Sequence, residues 1–517
     1  MENDKAPHVR LPDAAKEDRD HRLVAVHSNG EGEILSLDGI DPALAAKMRL
    51  VNDAIEQIGF TPYHYKLFCL NGFGYAADSM LAFLPSITAG NVTAEFNPSY
   101  LRAGQLSLYI GLLVGALFWG ISADIVGRKW AFNITLLVTS IFTIIAGASP
   151  NYAVWGTFNA LMAFGAGGNL VLDTTVFLEY LPHSKTWAIT LMAAWWGIGQ
   201  TAAGLIAWAF LPNFSCSADH VVCSRSNNMG WRYVYFTSGG LILLMSVLRV
   251  TIIRFHETPK FCLCRNDDHN AVNILQNIAH KYNRPLDLNI EQLQQCGRTS
   301  TTHADKSASF SELLLHYKGL FMTRREGLST VLVWFSWMLI GLAYPLYYVF
   351  LPEYLSSRGA DFGESSAYIT WRDYAITNTL AVPGPIVAAY LCRTKILGRK
   401  YTMVIGGLLS LVFLFAYTTV RNAPQNLGFS CAISVAINIY YGTLYAYTPE
   451  VLPSAHRATG NGTAVALNRV MGIVAVIIAT FADTSSSVPI YLCAALFGVM
   501  ALIAFTFPFE PARQRSV

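Results

Sequence analysis

Two aspartates, Asp78 and Asp173, stand inside long apolar stretches of this sequence. An ionisable side chain in such a stretch is costly, and a functional role is the default hypothesis. Desolvation favours the neutral form of a carboxylic acid, so a buried aspartate can bind and release a proton at physiological pH. We therefore predict that Asp78 and Asp173 couple proton movement to another process. The alternative is a structural acid that pairs with Arg469 or with a backbone group.

Arg469 also lies in an otherwise apolar stretch. Its planar guanidinium presents a fork of hydrogen-bond donors that suits a carboxylate or a phosphate. We expect Arg469 to bind the anionic group of a ligand. An internal salt bridge to one of the two aspartates accounts for this arginine equally well.

Polar and aromatic residues recur at helical spacing in the same stretches, where they can line a binding pocket. The expected pocket residues, besides Arg469, are Asn71, Asn169, Gln200, Trp337, Tyr344, Tyr348, Asn438 and Tyr441. Trp196 lies one turn before Gln200 and can join them. Aromatic residues at this spacing also serve simple packing, and that alternative stays open.

These residues need a scaffold, and the composition indicates a membrane. The chain has 517 residues, of which 53% are hydrophobic and 13% are charged, whereas soluble domains carry about 25% charged residues. A helix needs about 20 mostly apolar residues to span a bilayer. We predict an all-α membrane protein whose twelve spans are residues 65–87, 103–123, 130–149, 153–178, 187–211, 233–253, 328–351, 374–392, 401–420, 427–448, 462–482 and 488–507.

Basic residues in the short loops set the orientation, because cytoplasmic loops carry an excess of Lys and Arg. Those residues are Arg128, Lys129, Lys185, Arg393, Lys395, Arg399, Lys400 and Arg457. The predicted domains are a cytoplasmic tail with a short amphipathic helix (1–62), a six-helix half (63–253), a cytoplasmic central loop (254–326), a second six-helix half (327–507) and a cytoplasmic tail (508–517).

The two halves are related by an internal repeat. Gly127-Arg128-Lys129 recurs as Gly398-Arg399-Lys400, and Glu179 recurs as Glu450, both at a distance of 271 residues. Repeats of six helices with a binding site between them are common among transporters. We expect a charge network that closes the cytoplasmic side, although Arg128 and Lys129 can also be simple positive-inside anchors. Its predicted members are Asp124, Arg128, Glu179, Arg399, Glu450 and Arg457.

The outward loops contain two candidate modification sites and one candidate cross-link. Asn91 and Asn213 each begin an N-x-[ST] sequence, so we expect both to be available for glycosylation. Asn461 begins a third such sequence but should stay unmodified, because it starts a helix on the cytoplasmic side. Cys216 and Cys223 share one loop and can form a disulfide in an oxidising compartment.

Several motifs carry a family resemblance. The segment from Gly120 to Lys129 resembles the loop signature of the major facilitator superfamily. The segments Glu257-Thr-Pro-Lys-Phe261 and Tyr447-Thr-Pro-Glu-Val-Leu-Pro453 resemble its sugar-porter-like branch, closest to the synaptic-vesicle-glycoprotein-like and organic-ion-transporter-like members. The segment from Gly167 to Asp173 and the ending Pro508-Phe-Glu510 resemble a fungal subgroup, although Val171 stands where that subgroup has proline. The resemblance implies two pseudo-symmetric six-helix halves.

The motifs and the resemblance together imply a secondary active transporter that moves a small organic solute by alternating access, most simply by proton-coupled uptake. An exporter of a toxic or secondary metabolite is the runner-up, and a nutrient sensor that does not transport is the third reading. An enzyme is disfavoured, because no nucleophile–base pair and no metal motif is present. The chain lacks a Walker phosphate loop, so we expect no cofactor and a proton gradient as the energy source. The expected partners are the lipid bilayer and the solute, with no nucleic acid, in a monomer of the plasma membrane.

Overall fold

The computed structural model describes residues 42–216, 223–252, 257–298, 317–357, 366–394, 396–453, 456–481 and 488–511. Within these ranges the side chains of residues 121, 123–126, 170–171, 348–357 and 458 are not described. Predictions for the first 41 residues therefore lie outside the described part of the chain, as do those for the side chains of Asp124 and Tyr348.

The helices of the described ranges follow one another along the chain. They are α1 (Pro42–Ile58), α2 (Pro62–Phe96), α3 (Ala103–Val126), α4 (Arg128–Gly147), α5 (Tyr152–Tyr180), α6 (Trp187–Met192), α7 (Ala194–Phe214), α8 (Gly230–Ile252), α9 (Pro259–Cys264), α10 (Asp268–Lys281), α11 (Ile290–Gln295), α12 (Arg324–Ser357), α13 (Ala367–Thr379), α14 (Pro383–Arg393), α15 (Gly398–Tyr417), α16 (Ala423–Val451), α17 (Arg457–Phe481) and α18 (Val488–Thr506). Twelve stretches of them are long and apolar enough to cross a membrane. The predicted all-α membrane fold with twelve spans is confirmed.

Two of the predicted spans are not single helices, which corrects the prediction. Residues 187–211 are divided between α6 and α7, and residues 374–392 are divided between α13 and α14 close to Pro383. The two breaks lie against each other, since a Cβ on Gly197 would come within 2.6 Å of the Val382 backbone nitrogen. Apolar character is continuous across both breaks, so hydropathy alone does not reveal them.

The spans form two groups, α2–α8 and α12–α18, which meet along two lines. Helix α3 packs along α17, and α7 packs along α13. In the first contact a Cβ on Gly120 would lie 3.8 Å from the Cα of Gly462, so the two helices approach closely. These two contacts enclose the space in which the candidate site lies.

The outer surface of the helices is apolar. Large hydrophobic side chains are exposed along the spans, among them Val114, Phe118, Leu137, Leu244, Val412, Leu492 and Leu502. Water-exposed patches of this extent are rare on soluble monomers. The same surface suits the hydrocarbon core of a bilayer, where the backbone groups are satisfied within each helix.

Four helices outside the spans form a separate apolar cluster. Residues of α1 pack against α9, α10 and the segment that follows, with Leu44, Met48, Val51, Ile55, Leu263, Val272, Leu275 and Leu293 buried among them. The cluster also contains a buried ion pair, in which Lys47 Nζ lies 2.6 Å from Asp268 Oδ2. The amphipathic helix expected before the first span corresponds to α1, and the central loop contains α9–α11.

Candidate functional site

A cavity of about 70 Å³ lies between the two halves. It is lined from the first half by Asp78, Ser79, Ala82, Phe83, Tyr109, Leu112, Trp196 and Gln200, and from the second half by Ile340, Gly341, Tyr344, Pro345, Tyr441, Asn468 and Arg469. Of the predicted pocket residues, Gln200, Tyr344, Tyr441 and Arg469 line it. Asp78, predicted as a proton carrier, lines it as well.

Asp78 places a carboxylate with unused hydrogen-bonding capacity in this cavity. Asp78 is 8% exposed, and its Oδ1 accepts a hydrogen bond from Asn169 Nδ2 at 3.3 Å. Its Oδ2 is buried and has no hydrogen-bond partner among the described residues. The neighbouring Ser79 donates to the Trp196 carbonyl oxygen at 2.8 Å, which ties α2 to α7 beside the carboxylate.

Arg469 enters the same cavity from α17. Its Nε is buried without a hydrogen-bond partner, and it forms no ion pair in the described part of the chain. Two close approaches fix the backbone around it: a Cβ on Gly341 of α12 would collide with Asn468, and one on Gly472 would lie 2.5 Å from the Tyr109 ring. The alternative prediction, a direct salt bridge from Arg469 to Asp78 or Asp173, is not what this structure shows.

Aromatic rings form one wall of the cavity. The ring centroids of Trp196 and Tyr441 are 4.7 Å apart, and those of Tyr344 and Tyr441 are 6.0 Å apart. Gln200 Nε2 donates to the Tyr344 hydroxyl at 3.4 Å, which leaves the buried Gln200 Oε1 without a partner among the described residues. Trp337 lies behind this wall, where its indole donates to Thr448 Oγ1 at 2.8 Å.

Asp173 lies away from the cavity lining and is paired with an arginine that the sequence analysis did not single out. Arg249 Nη2 lies 3.0 Å from Asp173 Oδ1, and both side chains are 0% exposed. The same guanidinium donates to the Leu70 carbonyl oxygen at 2.9 Å and to the Phe132 carbonyl oxygen at 2.9 Å. This arginine therefore joins α2, α4, α5 and α8. The expected structural partner, Arg469, is replaced by Arg249.

Gly74 provides the room for that ion pair. A Cβ at Gly74 would collide with Asp173 Oδ2 and would lie 2.7 Å from Arg249 Nη2. The stripe of Asn71, Gly74 and Asp78 on α2 thus serves two purposes. Gly74 makes space for the buried pair, and Asp78, one turn further along, reaches the cavity.

Four of the predicted pocket residues lie outside the cavity lining. Asn169 touches the site indirectly, through its bond to Asp78. Asn71 and Asn438 donate to carbonyl oxygens of their own helices, those of Leu67 and Ser434. Trp337 packs behind Tyr441, as described above. Conversely, the sequence analysis did not select Tyr109 or Asn468, since their place in the lining depends on how α3 and α12 pack against α17.

The predicted charge network lies at one end of the spans and contains two ion pairs. Arg128 of α4 forms an ion pair with Glu179 at the end of α5, and Arg399 of α15 forms one with Glu450 at the end of α16. All four residues are buried. The pairs occupy equivalent places in the two halves, as the 271-residue repeat predicts for those positions.

Arg399 also bridges the two halves. Its guanidinium donates to the Thr186 carbonyl oxygen at 3.0 Å and to Thr190 Oγ1, both of which belong to the first half. Arg457, also predicted in the network, is 2% exposed, and its Nε has no partner among the described residues. Each ion pair therefore lies within one half, and the hydrogen bonds of Arg399 to Thr186 and Thr190 connect the two halves at this end.

Two further carboxylates cap the helices that carry these arginines. Glu257 accepts from the backbone nitrogens of Arg128 and Lys129, both at 3.1 Å. Glu510 accepts from those of Arg399 and Lys400, both at 3.0 Å. A negative charge is stabilising at a helix N-terminus.

The residue before each capped helix is a glycine with positive φ. The value is 116° at Gly127 and 56° at Gly398. A Cβ there would come within 2.6 Å of Glu257 Oε1 or of Glu510 Cδ, respectively. The repeated Gly-Arg-Lys motif thus combines a glycine turn, a capped helix and a gate arginine.

A second cavity, of about 50 Å³, lies close to Arg128 and Arg457. Lys260 of α9 lines it together with residues of α1 and of the segment after α5, and is 9% exposed. Burial lowers the pKa of Lys260 to about 7, and the nearby charges of Arg457 and Arg128 act in the same direction. The positive charge at this point is therefore sensitive to pH near neutrality.

The opposite end of the first half contains the predicted modification sites. Cys216 and Cys223 are joined by a disulfide. Asn91 and Asn213 lie within the last turns of α2 and α7 rather than in loops, which corrects their expected setting. Asn213 is exposed, whereas the Asn91 side chain donates to Asn228 Oδ1 at 3.3 Å.

The structure has twelve apolar spans in two equivalent groups. A polar cavity lies between the groups, and ion pairs lie at one end. These features define a multi-pass membrane transport protein. The chain belongs to the Major Facilitator Superfamily, whose family model matches residues 67–476. The family resemblance seen in the sequence is confirmed. Members of this superfamily are carriers, and the chain is accordingly a membrane transporter.

Curated relatives support this assignment over nearly the whole chain. The MFS siderochrome iron transporter 1 of Ceriporiopsis subvermispora is 38% identical, over 99% of this chain and 100% of that protein. The niacin transporter NiaP of Acinetobacter baylyi is 27% identical, over 82% of this chain and 89% of that protein. A synaptic vesicle 2-related protein of Rattus norvegicus is 27% identical, over 88% of this chain and 79% of that protein.

A solved structure shows the same fold. The proton:xylose symporter XylE of E. coli, bound to 6-bromo-6-deoxy-D-glucose, superposes with a TM-score of 0.63. The superposition covers 88% of this chain and 97% of XylE at 16% sequence identity. The likeness is one of fold.

Proposed function

We propose that this protein takes up a small organic solute together with protons, by alternating access, across the plasma membrane. One observation carries the proposal: Asp78 presents to a cavity formed by both halves a carboxylate oxygen that has no hydrogen-bond partner among the described residues. A group in this position is exposed to whichever side of the membrane the cavity opens towards. It can therefore load a proton on one side and release it on the other.

The contrast between the two membrane aspartates supports Asp78 as the proton carrier. Asp173 is held by Arg249 in a fully buried pair, and this arrangement compensates its charge permanently. Asp78 has one weak amide donor and no ion pair in the described part of the chain. A charged side chain at the bilayer centre costs about 3 kcal/mol on insertion scales, and protonation removes that cost for Asp78.

The cytoplasmic ion pairs supply the conformational part of the proposal. When the cytoplasmic side opens, the α15 end must separate from the first half, so Arg399 must release Thr186 and Thr190. Rocking of one six-helix half against the other about a fixed central site provides this movement. Arg128, Glu179, Arg399 and Glu450 then act as a gate whose closed form is the one described.

The comparisons support proton coupling more than any one solute. XylE is named as a proton symporter for xylose, whereas the relatives are named for siderochrome iron and for niacin. Because proteins of one fold are named for such different solutes, the solute of this protein has to be inferred from its own cavity. Uptake is favoured over export in the proposal because α7 lacks the Gly-Pro sequence that is frequent in drug-exporting facilitators.

The test uses the purified full-length chain in vesicles that contain a pH-sensitive dye. A panel of xylose, glucose, citrate, nicotinate, benzoate and inorganic phosphate is added outside, with empty vesicles as the control. We expect at least one solute to acidify the vesicle interior, and a protonophore to remove the signal. If labelled solutes enter the protein-containing vesicles without any proton movement, the coupling proposal is wrong.

A further inference from the structure

We propose that the central cavity binds an aromatic carboxylate, with the solute carboxylate on Arg469 and its ring against Trp196 and Tyr441. This inference rests on the proposed function for the location of the site. It does not rest on proton coupling, because binding can be measured without transport.

The charge of the solute follows from Arg469. Among the described residues that line the cavity, it is the one lysine or arginine. Within the described part of the chain its Nε has no hydrogen-bond partner, and Asp78 interacts with it electrostatically without forming an ion pair. A buried guanidinium is normally paired, and its fork of donors matches a carboxylate in two-point contact. The missing partner is best supplied by the solute.

Asp78 does not take that role in this structure, although it lines the same cavity. Its Oδ1 is engaged by Asn169, and its Oδ2 has no described donor. When Asp78 is protonated and an anionic solute binds Arg469, the cavity contains a single ion pair. A monovalent carboxylate that travels with one proton also carries no net charge across the membrane.

The aromatic wall favours a flat, apolar body for the solute. Trp196, Tyr441, Tyr344, Tyr109 and Phe83 all line the cavity. Aromatic pairs are stabilised beyond the burial of their area, so an aromatic ring is bound more strongly here than a saturated one.

A sugar would find few free donors in the same space. Gln200 Nε2 already donates to the Tyr344 hydroxyl, and Asn468 Nδ2 donates to the Trp337 carbonyl oxygen at 3.1 Å. Recognition of many hydroxyl groups requires polar side chains with unused donors and acceptors. The amide donors of Gln200 and Asn468 are instead committed to neighbours within the protein, and the Gln200 Oε1 acceptor is without a partner among the described residues.

The cavity as described is smaller than a single aromatic ring. Its volume is about 70 Å³, whereas an engineered cavity of about 150 Å³ holds benzene. Binding of a single-ring acid therefore requires the lining to move outward until the volume is roughly doubled. A large iron chelate would require the two halves to separate much further.

Binding to the purified full-length protein in lipid nanodiscs, measured by calorimetry, tests the inference. Three probes separate charge from aromaticity: benzoate, the neutral benzamide and the saturated cyclohexanecarboxylate. We expect benzoate to bind, benzamide to bind at least about tenfold more weakly, and cyclohexanecarboxylate about three- to tenfold more weakly. Equal binding of benzoate and benzamide, or no binding of benzoate, overturns the inference.

Variants locate the contact. Arg469→Gln should weaken benzoate binding at least about tenfold, and Arg469→Lys should fall between, because an ammonium cannot match the two-point geometry. Arg372→Gln is the matched control, since Arg372 pairs with Asp373 and its side chain is 43% exposed. Thermal unfolding of each variant checks folding. If Arg469→Gln folds and binds benzoate as the parent does, the carboxylate does not lie on Arg469.

The two proposals fail separately. Benzoate binding without solute-driven acidification in vesicles would keep the solute class and remove proton coupling. Acidification by xylose or phosphate, without benzoate binding, would keep coupling and remove the aromatic carboxylate.

Discussion

Asp78 of α2 and Arg469 of α17 line one cavity from different halves of the molecule, and neither has an ion-pair partner in the described part of the chain. The other buried membrane aspartate, Asp173, is fully paired with Arg249. Asp78 and Arg469 attract each other across the cavity without forming a direct ion pair, so the acid can accept a proton and the guanidinium can bind a solute.

The first prediction concerns stability. Asp173→Asn leaves Arg249 buried without its carboxylate, and breaking a buried ion pair in this way typically costs 3–5 kcal/mol. We expect a clear loss of thermal stability in detergent, or a loss of folded protein on size-exclusion chromatography. Asp173→Asn combined with Arg249→Met should lose less than the two single variants added together, because it removes both charges.

Asp78→Asn is the matched control for this prediction, since it changes the other membrane aspartate in the same way. It breaks no ion pair among the described residues, so its unfolding temperature should stay close to that of the parent. Equal destabilisation by Asp78→Asn and Asp173→Asn would remove the assigned division between a carrier and a structural acid.

The second prediction concerns the gate. Glu450→Gln removes the negative charge that pairs with Arg399. In this variant Arg399 keeps its hydrogen bonds to Thr186 and Thr190. We expect uptake to fall about tenfold while the protein still folds and reaches the membrane, because the closed cytoplasmic state loses an ionic contact. Uptake by whole cells, normalised to surface protein, measures the effect.

Two comparisons complete the gate experiment. Glu179→Gln tests the equivalent pair in the first half, and Glu291→Gln changes an exposed acid of α11 as a control. Parental uptake by both Glu450→Gln and Glu179→Gln would exclude these ion pairs from the transport cycle.

The third prediction concerns pH and Lys260. Its pKa in the folded protein is about 7, below its ordinary value of 10.5, so between these values the unfolded chain binds more protons than the folded one. Stability should therefore rise with pH over this window, by up to about 1 kcal/mol per pH unit. Lys260→Met should flatten the dependence of the unfolding temperature on pH between 7 and 9.

An exposed lysine of α10, Lys281, supplies the control, because Lys281→Met should leave that slope unchanged. A parental slope in Lys260→Met would mean that another group near the gate titrates over this range.

The fourth prediction concerns orientation. Asn461 is 3% exposed and lies near the gate, on the side expected to be cytoplasmic. Asn213 is exposed at the opposite end. The protein is produced in a glycosylating host, and its apparent mass is compared before and after treatment with an N-glycosidase. Asn213→Gln should make this difference in mass smaller, whereas Asn461→Gln should leave it unchanged. A glycan on Asn461 would show that the topology is the reverse of the one predicted.

The sequence predicts the spans and the repeated charges well, because both are local properties. Hydropathy finds all twelve spans, although it ends the first at residue 87 while α2 continues to Phe96. It also misses the breaks in the fifth and eighth spans, which depend on how Gly197 meets Val382. The gate arginines and their acids are found together because the repeat marks the same positions in both halves.

The pairing of charges in the membrane was harder to predict. Arg249 lies in the last turn of α8, at the end expected to face the cytoplasm, where a basic residue is ordinary, so its bond to Asp173 could not be inferred from position alone. Tyr109 and Asn468 join the cavity only because Gly472 and Gly341 let their helices approach. Such contacts arise from three-dimensional packing and leave no local pattern in the sequence.

Uptake by Asp78→Asn, in vesicles with and without an inward proton gradient, tests the central claim most directly. The labelled solute is the member of the panel that acidifies parental vesicles most strongly. Asparagine keeps the shape of the side chain and removes its proton, so we predict that Asp78→Asn no longer concentrates this solute but still exchanges it between the two sides. Accumulation by Asp78→Asn that still responds to the proton gradient would contradict the account and make Asp173 the leading candidate.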